Sequence, residues 1–137
     1  MVHALKETCR VLQAGGILID LRPRHENQII ELINDGQAER IAVYADDHRI
    51  NKDVAVDEAI ATVVESHLFS LERSIMFEYV TDYETGTELM DYFFTRNPPV
   101  HHSPEIVEKI ALADKNVNTT LRFTNDMELK CYLKIDK

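Results

Sequence analysis

Asp20, Arg22, Arg24 and His25 follow the apolar run Ile17-Leu18-Ile19, placing an acid, two guanidinium groups and an imidazole at the end of what reads as a buried strand. Strand ends are where open α/β sheets hold ligands, so these four residues are the candidate substrate or ligand edge. Pairing of Arg22 and Arg24 with local carboxylates is the competing structural account. His101-His102, taken with Asp46-Asp47-His48 or His25-Glu26, could suggest a metal centre, but the spacing matches no known ligand set and adjacent loop residues rarely reach one ion. No metal site is expected, and these histidines are expected to be solvated. Phe77, Tyr79, Tyr83, Tyr92, Phe93 and Phe94 could line a small-molecule pocket, although aromatic residues at strand and helix spacing more often belong to the core. There is no G-x-S-x-G turn and no arguable Ser-His-Asp or Cys-His constellation, so no catalytic residue is assigned. Asp46, Asp47, Asp53, Asp57 and Glu58 read as a solvated face and a helix start.

The elements that must position these residues follow from periodicity and punctuation. Val2, Leu5, Cys9 and Leu12 form a helical stripe, ended by Gly15-Gly16. Ile17 to Arg22, closed by Pro23, suits a strand covered on both faces. A charge at Ile19 is therefore expected to cost several kcal/mol. A short helix is expected around Asn27 to Asn34, a turn at Gly36, and a second strand from Arg40 to Tyr44. Asp53 reads as the cap of the longest helix, Val54 to Phe69, with Val56, Ile60, Val63, Val64 and Leu68 on its buried face. Ser74 to Val80 alternates as a strand. Thr85 and Glu88 have capping-box spacing for a helix ending near Asn97, and Ser103-Pro104 starts another. Leu121 to Ile135 alternates around Asn125-Asp126 and reads as a closing antiparallel hairpin.

At 137 residues, 45% of them hydrophobic, the chain suits one domain with a single core. A net charge of -9 repels phosphate backbones and anionic lipid, so neither nucleic acid nor membrane is expected as a direct partner. With no signal-peptide or transit-peptide character at the N-terminus, the chain reads as soluble and cytoplasmic. Cys9 and Cys131 have no CxxC spacing and read as two buried, reduced thiols.

The opening Arg10-Val11-Leu12-Gln13-Ala14-Gly15-Gly16, followed by an apolar strand, resembles the segment R-V-L-x-P-G-G of class I S-adenosylmethionine-dependent methyltransferases, with Ala14 in place of the commoner proline. In that family this helix leads into the fifth strand of the sheet. The resemblance continues in order and pattern to the C-terminus, through an insertion at 26-83 and a closing pair similar to the family's sixth and seventh strands. It implies a single α+β unit over residues 1-137, the C-terminal part of a methyltransferase-like domain. The family's cofactor half is missing from that picture. Cofactor binding there needs a glycine-rich loop and a ribose-binding carboxylate, whereas residues 1-137 have only Gly15, Gly16, Gly36 and Gly86, none in G-x-G-x-G, and the family's first four strands are not expected among them.

The expected function is accordingly that of a catalytically inactive binding or interaction module with no cofactor of its own. Two alternatives stand beside it. The chain could be the substrate-side piece of a split methyltransferase whose cofactor-binding half is a partner polypeptide, or an independent small-ligand binding domain using the Asp20 to His25 edge. Because the parent fold flanks Ile17 to Arg22 with a strand that this chain lacks, a two-fold homodimer is expected.

Overall fold

The computed structural model describes residues 1–96, 99–115 and 118–135. Among these the elements run α1 (Val2–Val11), β1 (Ile17–Asn34), β2 (Gln37–Tyr44), α2 (Asp47–Glu65), β3 (Phe69–Tyr83), α3 (Gly86–Thr95), α4 (Pro104–Ala113) and β4 (Thr119–Lys134). The strands form one antiparallel sheet in the order β2-β1-β4-β3, giving an α+β fold. The chain divides into two compact units, the first from residues 1–25, 47–77 and 126 onward, the second from 26–46 and 78–125. Residues 26–83, read from sequence as one insertion, are thus shared between them.

In the first unit, the stripe Val2, Leu5, Cys9 and Leu12 on α1 packs with Val56, Ile60, Val63 and Val64 of α2 around Phe69 and Tyr132. This is the helix face the 3.6-residue period requires. Gly15, at φ +69°, takes the left-handed conformation that turns the chain from α1 into β1. The start of β1 is not covered on both faces. Leu18 joins the core, but Ile17, Ile19 and Leu21 are 59%, 62% and 51% exposed. The helices of this unit pack on one side of the strand only, and the continuous apolar run concealed a one-sided alternation. A charge at Ile19 is consequently expected to leave the fold intact.

In the second unit, Ile30, Ala42, Leu89, Phe93, Ile110, Ala113, Leu121 and Phe123 form the core. The stretch from Asn27 to Asn34 is strand rather than short helix. Asp35 (φ 48°) and Gly36 (φ +78°) make a two-residue turn that pairs Asn34 with Gln37 and carries β1 into β2. The closing hairpin is instead the single strand β4. Asn125, read as a turn residue, is buried mid-strand and accepts a hydrogen bond from Gln28 Nε2, which meets its polar demand without a turn. Helix α2 begins at Asp47, so Asp53 lies inside it rather than capping it, and ends at Glu65, leaving Phe69 to open β3.

Both predicted helix starts of the second unit form as expected. Thr85 Oγ1 accepts from the Glu88 amide at 3.1 Å while Glu88 Oε2 accepts from the Thr85 amide at 3.4 Å, and Ser103 Oγ accepts from the Ile106 amide at 3.4 Å. Thr85→Ala should destabilise the protein by about 1 kcal/mol, measured by urea unfolding, since the α3 amide it satisfies would be left to water. The end of α3 expected near Asn97 lies outside the described residues, and the helix is described to Thr95.

Candidate functional site

Asp20, Arg22 and Arg24 recur at every second residue of β1, and Asp53 and Asp57 are four apart on α2, so strand and helix periods each gather these groups on one face. Arg22 binds Asp20 through Nε and Nη2 at 2.8 Å, Asp57 Oδ1 through Nη2 at 2.6 Å, and the Asp53 carbonyl through Nη1 at 3.2 Å. Arg24 Nη1 reaches Asp57 Oδ2 at 3.0 Å and Glu128 Oε2 at 3.5 Å, and Lys130 closes the row on Glu128 at 3.0 Å. Buried His25 meets buried Asp53, Nδ1 to Oδ2, at 2.9 Å. Burial opposes the charge on Asp57, but the hydrogen bonds from Arg22 and Arg24 outweigh it and hold the carboxyl below its ordinary value of 3.8. The four residues singled out by sequence are therefore brought together, in an ion-pair network with carboxylates of their own chain. All three nitrogens of the Arg22 guanidinium are engaged.

A second polar group lies in the second unit, where no motif announces it. Tyr44 at the end of β2, Asp46, Arg96 at the end of α3 and His102 before α4 meet beside Tyr92 and Phe93. The Arg96 and Asp46 side chains are each 9% exposed, with Nη2 3.5 Å from Oδ2, and the guanidinium sits 5.6 Å above the Tyr92 ring. The His102 ring lies edge-on to Tyr44 at 4.7 Å and to Phe93 at 4.3 Å. The Tyr44 hydroxyl, Arg96 Nη1 and His102 Nε2 are buried without hydrogen-bond partners. Burial raises the pKa of the Tyr44 phenol well above its ordinary value, and the neighbouring Arg96 guanidinium opposes that rise only in part.

His102 is thus a half-buried ring in an aromatic cluster rather than a solvated loop residue, while His101 is exposed against Phe94. Burial first, then the Arg96 charge and His101, lowers the pKa of His102 below 6.5. Protonation is therefore easier in the unfolded chain, and the stabilisation present above pH 6.5 is lost as pH falls through the folded-state pKa. Thermal unfolding of the parent should lose more stability from pH 7 to 5 than that of His102→Phe. Equal losses would mean that His102 is solvated after all. The aromatic series divides in the same way: Phe93 is fully buried with Tyr83 and Tyr92 packed around it, while Phe77, Tyr79 and Phe94 are 42%, 56% and 51% exposed.

The third feature is backbone. Within the sheet β1 has β4 on one side and β2 on the other, but β2 pairs only with Gln28 to Asn34. Among the described residues, no strand runs along the other side of Ile17 to Pro23. The Gly16 carbonyl accepts from the Lys134 amide at 2.8 Å and so points to the β4 side. In a trans peptide the next N–H points the opposite way, and extended backbone repeats that direction at every second residue. Ile17, Ile19 and Leu21 therefore direct their N–H and C=O groups to the open side. So does Pro23, whose missing N–H removes no bond to β4.

Cys9 and Cys131 are free thiols, Cys9 buried with its Sγ 3.8 Å from the Leu68 carbonyl and Cys131 half-buried. Among the described residues no group of three or more His, Cys, Asp or Glu is placed to hold a metal ion, and no helix is long and apolar enough to cross a membrane. No family model matches the chain, and neither a curated protein nor a solved structure matches it.

Proposed function

We propose that this chain is a methyltransferase-like interaction module, without catalysis of its own, that takes a further polypeptide strand along the open side of β1. The observation that carries the reading is the unpaired backbone of Ile17, Ile19 and Leu21, with those three side chains exposed beside it. Exposed apolar edge strands are templates for pairing, and a partner strand satisfies the backbone while covering the side chains. The resemblance carried by Arg10-Val11-Leu12 and Gly15-Gly16 leads to the same place, because it implies a neighbouring strand at this edge.

Binding of S-adenosylmethionine has no support in a sequence whose glycines never form G-x-G-x-G. Calorimetry with S-adenosylmethionine and the chain alone should show no heat of binding, and one-site micromolar binding would overturn the non-catalytic part of the reading. Amide exchange tests the edge: Ile17, Ile19 and Leu21 should exchange rapidly in the monomer, and slow exchange there would mean that the chain covers its own edge. If a cofactor-binding polypeptide added in trans restored both cofactor binding and protection of these amides, the split-methyltransferase alternative would replace this one. The unpartnered Arg96, Tyr44 and His102 atoms favour a small polar ligand as a second reading, checked by chemical-shift changes confined to residues 44–46 and 92–102 on titration with acetate.

A further inference from the structure

We infer that the strand accepted by β1 is its own copy, paired antiparallel about a two-fold axis through Ile19. The inference rests on the interaction-module reading and adds the partner and the register. Outward-facing residues can pair only with outward-facing residues, so with Ile17, Ile19, Leu21 and Pro23 available the possible symmetric registers are few. An axis at Asp20 sets Asp20 directly against Asp20 of the second copy, a like-charge pair, and puts Ile17 against the proline that lacks an N–H. An axis at Leu21 sets Ile19 against that same proline and requires buried His25 as a partner for Ile17.

An axis at Ile19 has neither fault. Ile17 stands opposite Leu21 of the second copy, Ile19 opposite its symmetry mate, and each such pair can exchange both backbone hydrogen bonds. Asp20 then faces Leu18 of the other copy and keeps its own Arg22 at 2.8 Å. The exposed side chains meet as one uncharged strip, so the net charge of -9 is not concentrated at the contact. Pro23 ends the ladder on each side. The segment is self-complementary in hydrogen bonds, side chains and charge, and a strip this short lies at the small end of stable interfaces, so association is concentration-dependent.

Sedimentation across about 1 µM to 1 mM, the range suited to a small interface, should show a monomer–dimer equilibrium. Ile19→Cys should form an intermolecular disulfide between the two introduced thiols under copper–phenanthroline oxidation, because hydrogen-bonded antiparallel pairs hold their Cα atoms about 5.5 Å apart, within disulfide range. Peptide mapping separates that bond from any involving Cys9 or Cys131, and Val11→Cys, exposed on α1, reports random collision. Ile19→Asp should be monomeric with an unchanged melting temperature. If that variant melts early, the cross-linking rate of Ile19→Cys relative to Val11→Cys decides instead. A monomer throughout with fast exchange at Ile17, Ile19 and Leu21 would overturn the self-pairing and leave the edge for another chain. A monomer with slow exchange there would overturn both this inference and the interaction reading. A dimer unaffected by Ile19→Asp, or one in which Ile19→Cys cross-links no faster than Val11→Cys, would place the contact elsewhere and overturn the inference alone.

Discussion

Phe93→Ala should lower the stability of the protein by about 3–5 kcal/mol, the range for truncating a fully buried phenylalanine. The ring has no exposed surface and lies 5.3 Å from Phe123, 5.4 Å from Tyr92, 5.7 Å from Tyr44 and 4.3 Å from His102, centroid to centroid. Its removal takes a contact from every member of that cluster at once, and rigid strand residues on one side limit how far the cavity can close. Against a typical total of roughly 5–15 kcal/mol, that loss is a large share of the stability and lowers the urea midpoint accordingly. Phe94→Ala is the matched control, one residue along the same helix but with its ring half exposed, and should change stability by no more than about 0.5 kcal/mol. Urea unfolding followed by far-ultraviolet circular dichroism measures both without tryptophan, which the chain lacks. Equal costs for the two variants would mean that α3 presents a different face to the core.

Helix signals in this sequence are local and therefore readable. The Thr85 and Glu88 capping box, the Ser103-Pro104 start and the α1 stripe each rest on contacts within a few residues, and each forms as its spacing implies. Strand boundaries depend on partners distant in sequence and are less readable. Ile29, Ile30, Leu32 and Ile33 satisfy a helical period as well as a strand run, and the tertiary pairing with Ala38 to Tyr44 decides between them. The deciding local signal is present in Asp35-Gly36, a dipeptide well suited to a two-residue hairpin turn. At Asn125-Asp126 the same kind of signal misleads. Polar turn formers there sit mid-strand because Gln28, far away in sequence, supplies the hydrogen bond that a turn would have supplied.

The candidate sites divide along the same line. Asp20, Arg22 and Arg24 can be picked out because alternation along one strand is a local property, but their partners Asp53 and Asp57 read as a helix cap and solvated acids until α2 is placed over β1. Arg96 and Tyr44 carry no motif. A lone arginine after Tyr92-Phe93-Phe94 is the available hint, since a cation beside an aromatic run can lie over a ring as Arg96 does over Tyr92. Nothing local marks an edge strand except Pro23, whose tolerance in β1 follows from its facing the open side.

Arg22→Ala should destabilise the protein by about 2–3 kcal/mol, less than the roughly 3–5 kcal/mol lost when one partner of a fully buried ion pair is removed. The discount has two sources. Asp57 is 36% exposed at its side chain, so water can screen part of its charge, and Arg24 remains bound to it at 3.0 Å. Asp20 loses more, because its side chain is 14% exposed and Arg22 holds both of its oxygens. Arg22→Lys should fall between parent and alanine variant, since an ammonium keeps the charge but cannot span Asp20, Asp57 and the Asp53 carbonyl with one planar fork. Acidification gives the sign. The Asp57 carboxyl is held below 3.8 in the fold, so its contribution is fully present above that pH and disappears as pH falls through the depressed folded-state value. The gap in unfolding free energy between parent and Arg22→Ala should accordingly hold steady from pH 7 to 5 and narrow below about pH 4. A gap that persisted undiminished in acid would assign the loss to the packing of the arginine stem along β1, and the carboxylates would then contribute little to holding α2 over the strand.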